Sequence, residues 1–189
     1  MTTASEALEW IRKQRIALEA AKVGAVPSLA HQIVRGPISG SWWGHPSGKL
    51  IFTLATALHD SGEVLVLKLI DGKTTYVHVS LWPALLRVLL DSDWRAPRIA
   101  ALPASTQGLL MELERRREVG RADPRAVKEL ELKLLARVTS EHTDKGHHQK
   151  RLTAWAHWSK AAGVKPWSGS LAAALLEVRA AAHGAGILG

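Results

Sequence analysis

Residues 63–79, Glu-Val-Leu-Val-Leu-Lys-Leu-Ile-Asp-Gly-Lys-Thr-Thr-Tyr-Val-His-Val, read as two β-strands around a two-residue turn. Aliphatic and β-branched residues fill both arms, and Asp71-Gly72 supplies the positive-φ pair that a tight antiparallel turn demands. Helical patterns flank this hairpin. Upstream, Ser5 is placed to cap a helix reaching about Ala21, with Leu8, Ile11 and Ile16 on its apolar stripe and Gly24 as its stop. A short helix is predicted over Ser28–Val34, ended by Gly36-Pro37, and a third from Ser47 as N-cap to about Leu58. Downstream, Ser80 is placed to cap residues 81–90, where Pro83 is tolerated in the first turn.

This order of helices, hairpin and helix predicts an α+β, mostly helical chain whose N-terminal part is winged-helix-like, the hairpin being the wing. Residues 1–95 form that region. Residues 91–107, with Pro97 and Pro103, read as a loop boundary. Residues 104–189 read as a helical region, with helices from Ser105 to about Val119, from Asp123-Pro124 to about Ala136 and from about Ser170 to His183. Glu141–His148 forms a second short hairpin within it. One compact domain is the alternative, and no internal repeat is visible. The third helix, rich in Leu50, Ile51, Phe52, Leu54 and Leu58, offers few side chains able to read base edges.

The chain has 189 residues, no cysteine and a net charge of +8. Disulfide scaffolds, thiolate zinc sites and thiol enzymes are thereby excluded. With no apolar run long enough to cross a bilayer and no secretory pattern at the N-terminus, a cytoplasmic, nucleoid-associated location without membrane contact is expected. The positive charge favours a polyanionic partner, and eight tryptophans against one Tyr and one Phe add flat faces for bases. Tryptophans packed in a core beneath a basic surface are the competing reading.

The loop Gly40-Ser41-Trp42-Trp43-Gly44-His45-Pro46-Ser47-Gly48-Lys49 concentrates these features. Its indoles either face a ligand or plug the core, and Ser47 and Gly48 stand where a helix N-terminus favours phosphate. Candidate nucleic-acid contacts are Trp42, Trp43, Ser47, Gly48, Lys73, Arg151, Trp155, Trp158 and Lys160. Lys68, flanked by aliphatics, and Lys49 are candidate amine nucleophiles toward the aldehyde of an abasic sugar, with His45, His142 and His148 as proton carriers. Lys68 snorkelling to water or pairing with Asp71 is the alternative. Pairing Thr143 with His147 would set His142 opposite His148, but no third ligand is evident, so neither a metal nor another cofactor is expected.

Ser41-Trp42-Trp43-Gly44-His45-Pro46 with Gly48, Leu81-Trp82-Pro83-Ala84-Leu85, and His142-Thr143 with Gly146 and His148 together resemble a small bacterial family. The likeness covers most of the chain and implies a winged-helix-like protein linked to DNA repair, a link that rests chiefly on the side-chain chemistry above. Helix-hairpin-helix, Walker and paired-carboxylate nuclease motifs are absent. The functional expectation is a protein engaging single-stranded, damaged or duplex DNA, alongside a repair-protein partner. It acts either as an abasic-site lyase or glycosylase-lyase or as a non-enzymatic adaptor. A metal- or histidine-dependent hydrolase is the further alternative.

Overall fold

The computed structural model describes residues 1–38, 40–142 and 148–186, and for Glu141, His142 and His148 the backbone alone. The chain is α+β and mostly helical, and it divides into two compact units. Unit 1 is Met1–Trp82 with Leu175–Gly189, and unit 2 is Pro83–Ala174. The chain passes from unit 1 to unit 2 between Trp82 and Pro83 and returns between Ala174 and Leu175.

Unit 1 opens with α1 (Ala4–Gln14), whose cap is Thr3, not Ser5. Thr3 accepts from the Glu6 N–H while the Glu6 carboxylate returns to the Thr3 N–H, closing a capping box. The helix ends well before Ala21, because Arg15 adopts φ 63° and turns the chain into β1 (Ile16–Leu18). After α2 (Leu29–Val34) and α3 (Gly48–Asp60) come β2 (Val64–Ile70) and β3 (Lys73–His78). Asp71 at φ 47° and Gly72 at φ 66° make the expected turn. The sheet is antiparallel in the order β1-β3-β2, with Ile16 and Leu65 on either side of Val77. Helix, strand, two helices and a hairpin in this order are winged-helix-like. Ala7, Ile11, Leu29, Leu54, Leu58 and Tyr76 form the core, each large aliphatic contributing about 1.5–3 kcal/mol by leaving water. His78, not Ser80, caps the turn that follows β3, and α4 (Trp82–Leu89) starts there.

In unit 2, residues 92–100 are helical, against the expected loop. Asp91 caps α5 (Ser92–Ala100) by accepting from the N–H groups of Asp93 and Trp94, both at 3.0 Å. Pro97 is tolerated inside it while the Arg98 guanidinium donates to the Trp94 carbonyl and lies 3.8 Å over that indole. Next come α6 (Ala104–Arg116), β4 (Glu118–Val119), α7 (Pro124–Leu132), β5 (Arg137–His142), β6 (His148–Thr153) and α8 (Trp155–Ala161), and α9 (Leu171–Ala181) begins here and continues into the residues of unit 1. The second hairpin thus begins earlier and ends later than Glu141–His148.

The two units repeat one topology that the sequence conceals. Unit 2 is again helix, strand, helix and hairpin, with strand order β4-β6-β5. Glu118 and Arg137 flank Thr153 as Ile16 and Leu65 flank Val77. Arg117, at φ 73°, ends α6 as Arg15 ends α1. The carbonyl of each arginine accepts from the residue at the close of β3 or just past β6: His78 N–H to Arg15, Ala154 N–H to Arg117, both at 2.9 Å. Unit 2 has only α7 where unit 1 has α2, the Trp loop and α3.

Candidate nucleic-acid interface

The Trp loop folds as one tight turn (Trp42–Gly44) leading into α3. Ser41 caps it, its Oγ accepting from the Trp43 N–H. The Trp42 carbonyl accepts from the His45 N–H at 3.1 Å, and the His45 carbonyl from the Gly48 N–H at 2.7 Å. Held this way, Trp42 and Trp43 stack at 4.2 Å and 21° between planes, and Trp43 meets Phe52 of α3 at 5.5 Å and 42°. Trp43 is 65 % exposed and Phe52 50 %. Exposed aromatics preassembled into a shelf differ from scattered surface hydrophobes, because the ordering entropy of a stacking platform is already spent.

Beside the shelf lies an open cavity of about 260 Å³, lined by Glu19, Trp42, Trp43, Phe52, His59 and Tyr76 among others. The Tyr76 hydroxyl donates to Glu19 Oε1 at 3.1 Å. Burial, and then the neighbouring Glu19 carboxylate, push the Tyr76 phenol far up, so it stays a neutral donor. Ile51, Leu54 and Leu58 turn α3 to the core, leaving Lys49, Phe52, Thr53, Thr56 and His59 outside. That outer face is mixed, with Phe52 set among polar side chains rather than the aliphatic ones the helix composition suggests.

The other candidate residues are dispersed or structural. Ser47 stands at the N-cap position of α3 but makes no side-chain cap bond, and its N–H donates to His45 Nδ1 at 3.0 Å. That bond gives His45 a structural role in the loop, and with the Ser47 N–H engaged the site has one fewer donor for phosphate. Gly48 is buried beneath the loop rather than offered to a ligand. Lys73 is exposed at the wing turn, and Lys49 is exposed at the start of α3. Lys68 is half-buried among the aliphatic residues of β2, and its Nζ donates to Thr74 Oγ1 at 2.8 Å.

Trp155 corrects the expectation most sharply. It is 1 % exposed, and its Nε1–H donates to the Leu134 carbonyl at 2.8 Å, so it anchors unit 2 and offers no face to a base. Trp158 is half-buried, meets Trp155 edge-on at 5.8 Å and has the Arg137 guanidinium 5.8 Å from its ring. Arg151 lies 3.4 Å from Glu118, and Lys160 is exposed on α8. The backbone register does set His142 opposite His148, as expected. Their side chains, and residues Thr143–His147 between them, lie outside the described residues. Among the described residues no three His, Asp or Glu side chains gather as metal ligands, and no helix is long and apolar enough to cross a membrane.

What the sequence missed is Phe52 and the pair Glu19–Tyr76. Their periodicity assigns them to helix and strand, and only the chain path between α1 and β3 brings them to the loop. Comparison with protein families, curated proteins and solved structures found no match.

Proposed function

We propose that this chain binds nucleic acid, holding unstacked bases of damaged or single-stranded DNA against the Trp43–Phe52 shelf. The observation that carries the reading is an exposed indole, already stacked on its neighbour, at the entrance to α3 of a winged-helix-like unit. Lys49 and the wing residue Lys73 supply exposed cations in the same unit for phosphates. Shape and unstacked bases are then the recognised features, not an operator sequence. The protein works in the cytoplasm at the nucleoid, as a binding adaptor beside a repair enzyme.

The engaged amine of Lys68 and the structural role of His45 favour binding over lyase chemistry. Fluorescence anisotropy with labelled single-stranded, abasic and intact duplex oligonucleotides at several salt concentrations tests both points. Trp43→Ala weakens single-strand and abasic binding about tenfold or more, as expected for loss of one stacked base. Affinity that is independent of salt, or unchanged in Trp43→Ala, would sink the reading. A covalent adduct trapped by borohydride on the abasic strand would restore the lyase.

A further inference from the structure

We infer that unit 2 carries a binding site for a small organic anion with an apolar body, independent of the nucleic-acid reading above. The starting point is the pair of equivalent arginines. Arg15 is answered by Glu177, 2.5 Å from its guanidinium. Arg117, in the same position of the repeated topology, has no acidic partner among the described residues and instead lines a cavity of about 510 Å³. Non-glycine residues held at left-handed φ are costly to keep, and a fold that holds an arginine there fixes where its side chain departs.

The cavity's charge is unbalanced. Arg95 and Glu114 neutralise one another across it, leaving Arg117 and Lys160 as surplus cations, with His157 beside them. Leu110, Leu113, Leu135, Ala154 and Trp155, all nearly out of water, line it together with the more open Leu90 and Ala156. Concave walls that combine apolar and charged groups in this way suit a ligand with both, and the volume falls in the range of such sites. A hydrated phosphodiester backbone gains nothing from apolar walls. An aromatic or short aliphatic body ending in carboxylate or phosphate gains from walls and cations together, its head between Arg117 and Lys160.

The test is calorimetry on the full chain with phenylacetate, hexanoate and phenyl phosphate, against neutral phenylacetamide and inorganic phosphate. The indole N–H resonance of Trp155 serves as a reporter inside the site. Saturable binding is expected for at least one of the three anions, stronger than for both controls and shifting that resonance; the preferred head distinguishes carboxylate from phosphate ester. Arg117→Gly removes the guanidinium at a backbone position that glycine accepts without strain, and should weaken binding at least tenfold with the fold intact. Ala156→Phe, on an exposed position of α8, should block the site, and Arg125→Ala, an exposed cation elsewhere in unit 2, should leave it unchanged. Binding by none of the three anions, equal binding of phenylacetamide or inorganic phosphate, or native affinity in both Arg117→Gly and Ala156→Phe overturns the inference.

Discussion

Gly48 lies directly beneath Trp42: a Cβ on Gly48 would stand 2.9 Å from the Trp42 carbonyl oxygen and 3.0 Å from that of Trp43. Both obstacles are backbone, so the loop has to move as a whole to admit one. Gly48→Ala should cost about 1–3 kcal/mol, read as a lowered thermal midpoint. The near-ultraviolet dichroism of the stacked indoles should fall with it. An unchanged dichroism spectrum would show that the shelf does not depend on this close approach.

Two tryptophans separate stability from binding. Trp155→Ala empties a fully buried site and leaves the Leu134 carbonyl without its donor, so a loss of about 3–5 kcal/mol in chemical denaturation is expected. Trp43→Ala removes a ring that is 65 % exposed and should change stability by less than about 1 kcal/mol. Equal losses in the two variants would contradict this division of roles.

His78 should make unit 1 sensitive to mild acid. Burial holds its imidazole below the ordinary value, opposed by Glu63 at 3.5 Å and reinforced by Arg12 and Arg15. In the unfolded chain the same ring titrates near ~6.5, so below that pH the unfolded state takes up a proton that the folded state refuses. Stability is full above this value, declines as pH falls through it, and levels off below the folded pKa. His78→Asn, which keeps an acceptor for the Ser80 N–H, should show a flatter stability curve between pH 7 and 5. A slope as steep as the native one would assign the effect to another group.

Asp91 joins a helix cap to an ion pair. Arg87 beside it and the N–H groups of Trp94 and Asp93 hold its carboxyl below the usual range. That contribution is present above the ordinary carboxylate pKa and is lost as pH falls through the lowered one. Asp91→Ala should cost about 1–2 kcal/mol in urea titrations near neutral pH, and the difference from native should shrink in strong acid. Fraying of α5 alone, without loss of global stability, would show that the helix is not coupled to the core of unit 2.

The hairpin at Asp71-Gly72, α2, α3 and α7 were legible because each carries its own local signal: a turn dipeptide, a glycine-proline stop, a serine at the N-cap position, or an Asp-Pro start. Strand β1 was not. Ile16 and Leu18 continue the apolar period of α1, and the helix ends at Arg15 through a left-handed φ that no glycine announces. The same device at Arg117 hid β4, and with it the repeat. Helix α5 was masked by Pro97, which it carries in its interior. Within the candidate site, Trp42 and Trp43 were evident from their density in a glycine-rich loop, whereas Trp155 and Trp158 showed the same cation-and-indole alternation and proved to be core and rim. Alternation along a helix does not say which face the neighbouring elements cover.

Lys68 gains a different meaning from its position on β2, an outer strand of its sheet and otherwise uniformly aliphatic from Val64 to Ile70. The register breaks between Leu67 and Ile70, and the single charge sits inside that irregularity. An apolar border strand invites a second chain to extend the sheet, and a bulge with a lysine is a common deterrent. Replacing Lys68 with valine should leave the monomer's fold intact yet produce concentration-dependent self-association, visible by light scattering. The residue first suspected of chemistry would then be the one that keeps copies of the protein apart.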